Sequence, residues 1–96
     1  MGLNTSLTKL LKAEDVSVRA AAIGSIAVMG GEGAVEALMQ ALQDQEPWIR
    51  LEAVEALTKV GGEQVMQGLQ QALEDEHPDV QQAAQEALAL RQRISE

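Results

Sequence analysis

Three copies of one pattern, each set 31 residues after the last, constrain this chain more than any other feature of it. Ile49-Arg50 repeats Val18-Arg19, and Gly61-Gly62 repeats Gly30-Gly31, both at a step of 31 residues. The same step forward carries Pro47 to Pro78, Ile49 to Val80, and Glu55-Ala56-Leu57 to Glu86-Ala87-Leu88. A period of this size marks stacked supersecondary units, none of which can close its apolar face without a neighbour.

Within each copy the apolar residues recur at spacings of three and four, which predicts two helices per copy. Leu3, Leu7, Leu10 and Leu11 predict a helix over 3–12, with Asn4, Thr5 or Ser6 at its cap. A second helix over 16–29 carries Val18, Ala21, Ala22, Ser25, Ile26 and Met29 on one stripe and stops at Gly30-Gly31. The pair returns over 34–43 and 48–60, where Pro47 suits a first helical turn, and begins again over 63–74. A last helix opens at His77-Pro78 and runs on into Arg91-Gln92-Arg93, with no glycine pair to stop it. We term the first, third and fifth helices B-type and the second, fourth and sixth A-type.

Connections of a few residues make successive helices antiparallel. The expected fold is therefore all-α, an α-solenoid of six helices stacked as antiparallel pairs, in a single domain over 1–96. Ala22, Ala53 and Ala84 are small enough to let adjacent A helices approach. The ladders Leu7-Leu38-Leu69 and Leu11-Leu42-Leu73 form the seam between the layers.

The 31-residue period, the linkers from Asp44 to Arg50 and from Asp75 to Val80, the Val18-Arg19-Ala20-Ala21-Ala22 motif and the Gly-Gly before a B helix resemble the short HEAT-like repeats of the phycobilisome-lyase type. The resemblance covers nearly the whole chain. It implies a polar ladder of linker Asp and A-helix Arg, here Asp44, Asp75, Arg19 and Arg50, truncated at the ends by Ala13 and Gln81. It also implies that the B helices line the concave side. Such repeats occur in scaffolds, adaptors and lyase subunits alike, so function stays open between two classes. One is a non-enzymatic scaffold or adaptor for a protein or peptide; the alternative is a subunit or chaperone of a bilin-chromophore lyase. A tetrapyrrole is typically held by aromatic and basic groups, and Trp48 is the one aromatic here.

With Leu38 taken as pointing inward, a turn of 100° per residue directs Glu36, Gln40 and Gln43 outward. The repeat adds Thr5, Lys9 and Lys12 before them and Gln67, Gln71 and Glu74 after them, with Met39 and Gln70 at the rim. This B-helix wall is the expected partner-binding surface. Trp48 is the further candidate, either covering a linker or anchoring a partner.

Seven basic residues against fifteen acidic ones give a net charge of −8, which argues against nucleic acid or an anionic membrane as partner. Nothing approaches the roughly 18 consecutive apolar residues of a membrane span, and neither a basic leader nor an apolar signal core is present. Met1-Gly2 with Ser6 matches the myristoylation pattern too loosely to imply acylation. The absence of cysteine removes disulfides, thiolate catalysis and Cys-based zinc sites, and a cytoplasmic location is expected. His77 is the only histidine, so a di-iron site of repeated His-Glu pairs is excluded. The acidic stretch Glu74-Asp75-Glu76 with Asp79 lacks EF-hand spacing, and Gly30-Gly31-Glu32-Gly33 follows a helix and has no lysine, unlike a phosphate loop. No enzyme activity, cofactor or metal is expected, and the protein is expected to be a monomer or weak homodimer.

Overall fold

The computed structural model describes residues 5–31 and 33–95. Six α-helices account for most of them: α1 Thr5–Lys9, α2 Val16–Met29, α3 Ala34–Ala41, α4 Pro47–Val60, α5 Gln64–Ala72 and α6 Pro78–Ser95. No strand occurs among the described residues. The expected positions Leu3, Asn4, Glu32 and the Met1-Gly2 pair lie outside them.

The B helices are shorter than the apolar pattern implies, for the same reason in each copy. α1 passes directly into a 3-10 turn at Leu10–Lys12. The corresponding residues after α3 tighten in the same way: the amides of Gln43 and Asp44 donate to the carbonyls of Gln40 and Ala41, three residues back. After α5 the amides of Glu74 and Asp75 repeat these bonds to Gln71 and Ala72. Tightening the last turn satisfies carbonyls that a helix end would otherwise leave without partners.

The A helices stop where expected. Gly30, Gly31, Gly61 and Gly62 all have positive φ, a conformation that side chains with a Cβ resist. The amides of Gly30 and Gly61 close the last turns of α2 and α4 on Ile26 and Leu57. At their starts, the Asp15 carboxylate accepts the Ser17 amide at 2.8 Å, and Pro47 occupies the first turn of α4. His77 fills the place of Asp15 in the last copy, and its Nδ1 accepts the Asp79 amide at 3.1 Å. The lone histidine is thus a helix cap.

One apolar cluster runs through the stack from Ile23 to Ala87. Ala22, Ala53 and Ala84 are buried in register, as are Leu38 and Leu69, while Leu7 and Leu11 pack against the cluster partly buried. Each fully enclosed Leu, Ile or Val contributes about 1.5–3 kcal/mol relative to an exposed one. The Cα trace measures 38 × 31 × 16 Å. Its thin dimension matches two helix layers about 8–10 Å apart.

The expected stripe on α2 needs correction. The helix buries Ala22, Ile23 and Ile26, whereas Val18, Ala21, Ser25 and Met29 are exposed. Their repeats explain this. Ile49 and Val80, which stand in the place of Val18, and Ala56 and Ala87, in the place of Ser25, are buried because α4 and α6 each have a preceding A helix beside them. No described helix packs on that side of α2.

Candidate interaction surfaces

The linkers set how the layers are held. Arg19 Nε donates to Asp44 Oδ2 at 2.9 Å and its Nη2 to Oδ1 at 3.2 Å. Arg50 repeats this fork on Asp75 at 2.7 and 3.1 Å. The remaining arm of each guanidinium turns back to its own linker: Arg19 Nη1 donates to the Ala13 and Glu14 carbonyls, and Arg50 Nη1 to those of Asp44 and Gln45. Each aspartate also accepts the amide two residues on, Glu46 or His77, at 2.9 Å. One Arg therefore ties two successive linkers, through carboxylate geometry that only a planar fork matches.

The ladder ends where the sequence suggests. Gln81, in the third Arg place, keeps only the backward bond, its Nε2 donating to the Asp75 carbonyl. Ala13, in the first Asp place, supplies its carbonyl and no carboxylate. Arg50 is 8% exposed and is the buried charged residue of the core. Hydrogen bonding to Asp75 holds the Arg50 guanidinium above its ordinary pKa, against the opposing effect of burial. For Asp75 burial pushes the carboxyl up, but the Arg50 fork, the His77 amide and the Arg50 charge together hold it below the usual carboxylate value.

The B-helix wall is present as a set of exposed side chains. Glu36, Gln40, Gln43, Gln67, Gln70, Gln71 and Glu74 are all exposed, and Met39 is half-buried against the core. Only part of the wall converges. Gln43, Gln71 and Glu74 line a cleft of about 390 Å³ beside Asp44, Arg50 and Asp75.

The A layer presents a different surface. Trp48 is 48% exposed and starts a row that continues through Glu52, Glu55 and Lys59, at the 4- and 3-residue steps of one helix face. The repeat places Ser17, Ala21, Gly24 and Val28 beside this row on α2, and Asp79, Ala83, Glu86 and Leu90 beside it on α6. A groove of about 460 Å³ lies between α4 and α6, floored by Val54, Ala83 and Ala87 and rimmed by Glu55, Lys59, Glu86 and Leu90. A smaller one of about 170 Å³ lies between α2 and α4, lined by Ile23, Gly24, Ala27, Val28, Glu52 and Glu55 among others. The sequence left Trp48 as either a cover for a linker or an anchor for a partner. Stepping from it by helical spacing would have joined it to Glu52, Glu55 and Lys59.

The two layers also differ in spacing. α4 lies against α2 on one side and α6 on the other along much of its length, whereas α3 and α5 approach at few positions. A stack bends toward the layer whose members lie closer. The A layer is thus the more closely packed of the two, where the family resemblance implied the B layer as the inner side.

Among the described residues, no group of three or more His, Cys, Asp or Glu side chains is placed to hold a metal ion. No helix there is long and apolar enough to cross a membrane. A family model for HEAT repeats matches residues 4–89. Comparison with curated proteins finds no match.

Proposed function

The chain belongs to the HEAT-repeat family, and from that premise we propose that it is a non-enzymatic interaction module that grips a protein or peptide on the face formed by α2, α4 and α6. HEAT repeats generally mediate protein interactions. The observation that favours this face is the row Glu52, Glu55 and Lys59 standing between two grooves on the more closely packed layer, with Trp48 at the start of the row. An inner surface brings side chains from successive repeats within reach of one ligand, and an exposed tryptophan at its margin suits an anchor. The B-helix wall is the competing surface, but its helices α3 and α5 approach at few positions. No feature of either face favours the chromophore-lyase alternative.

Paired substitutions to lysine separate the two faces. In affinity capture with the intact chain, Glu55→Lys with Glu86→Lys abolishes recovery of the partner, while Gln40→Lys with Gln71→Lys retains it. All four positions are exposed, so both double variants should melt within about 0.5 kcal/mol per substitution of the parent. Retention by the first pair and loss by the second would move the binding site to the B-helix wall.

A further inference from the structure

We propose that the segment bound by the α2/α4/α6 face is basic at one end and apolar at the other; this rests on the assignment of binding to that face. The three helices are parallel, being alternate members of an antiparallel series, so their first halves lie side by side and so do their last. The charges divide along that direction. Asp79 stands in the first turn of α6, Glu52 in the second turn of α4, Glu55 in its middle, and Glu86 in the middle of α6. Among the described residues no ion pair neutralises Glu52, Glu55 or Glu86. Val28, 89% exposed, and Leu90, 48% exposed, occupy the last turns of α2 and the later part of α6.

Lys59 lies between Val28 and Leu90 and sets the direction, because it repels a basic residue placed over the apolar end. Trp48 lies at the acidic end, where its ring adds a face for an arginine or lysine already drawn by the carboxylates. The groove between α4 and α6 offers the apolar side chains of the ligand a floor of Val54, Ala83 and Ala87. Complementarity of this kind fixes register and orientation more than raw affinity.

Trp48, the single aromatic residue, is a built-in reporter. The intact chain is titrated with a short peptide carrying arginines in its first half and leucines in its second, followed by Trp48 emission and, in parallel, by calorimetry. A second peptide has glutamates in place of the arginines. The arginine peptide should bind saturably and the glutamate peptide at least about tenfold more weakly, a difference of about 1.4 kcal/mol. Glu55→Gln with Glu86→Gln should weaken the arginine peptide, and Glu55→Lys with Glu86→Lys should weaken it further. Equal or tighter binding of the glutamate peptide, or no binding of the arginine peptide by either readout, would overturn the basic class of ligand. Binding that survives both Glu55/Glu86 pairs but is lost with Gln40→Lys and Gln71→Lys would instead overturn the face assignment beneath it.

Discussion

At the scale of single residues, the fork between Arg50 and Asp75 is the interaction whose removal is most costly. Both side chains are about 10% exposed, so deleting the carboxylate leaves a largely enclosed guanidinium with no counter-charge. Asp75→Ala should cost about 2–4 kcal/mol, whereas Glu76→Ala, at an exposed neighbour, should cost less than about 0.5 kcal/mol in the same urea melts. The pH dependence follows from the sign of the shift. Asp75 is held below its ordinary value when folded, so its stabilisation is complete above the unfolded carboxylate pKa of about 3.9 and is lost as the pH falls through the lower folded value. Wild type and Asp75→Ala should therefore converge in acid. The members of this ladder were legible because Asp and Arg recur in phase at 44, 75, 19 and 50. The backward bonds to the carbonyls of residues 13, 14, 44 and 45 were not, since they depend on how the linker backbone turns.

At the scale of elements, helix starts and stops were readable wherever one residue enforces them. Pro47 opens α4, and the glycine pairs with positive φ close α2 and α4. The B-helix ends were less so, because the tightening into a 3-10 turn leaves the apolar spacing through Leu42 and Leu73 intact. The buried face of α2 was misjudged for another reason. Repeat phase tells which positions can face a preceding helix, but Val18 and Ser25 have none beside them. The inner repeat offers the sharper test. Ala53 is fully buried where α4 meets its neighbours, so Ala53→Leu should overpack the A layer and cost about 1–3 kcal/mol. Glu55→Leu, on the exposed side of the same helix, should change a denaturant melt little. Equal stability of the two variants would contradict the helix phase.

At the scale of the molecule, the layered stack was legible, whereas the sequence named an inner layer only through the family resemblance. Ala22, Ala53 and Ala84 recur in register along the A helices and are buried there. Small residues bring helix axes closer, so the layer with the alanine ladder draws together. The family resemblance implied the B layer and, with it, Gln40 and Gln71 as site residues; the face we propose carries Glu55 and Glu86. Which face binds a partner rests on this asymmetry. Because the chain has no cysteine, two can be introduced at will, and EPR distances between spin labels at Glu55→Cys/Glu86→Cys and at Gln40→Cys/Gln71→Cys compare equivalent positions one repeat apart on each layer. The account predicts the shorter distance for the Glu55/Glu86 pair; a shorter distance for the Gln40/Gln71 pair would place the inner face on the B helices and contradict it.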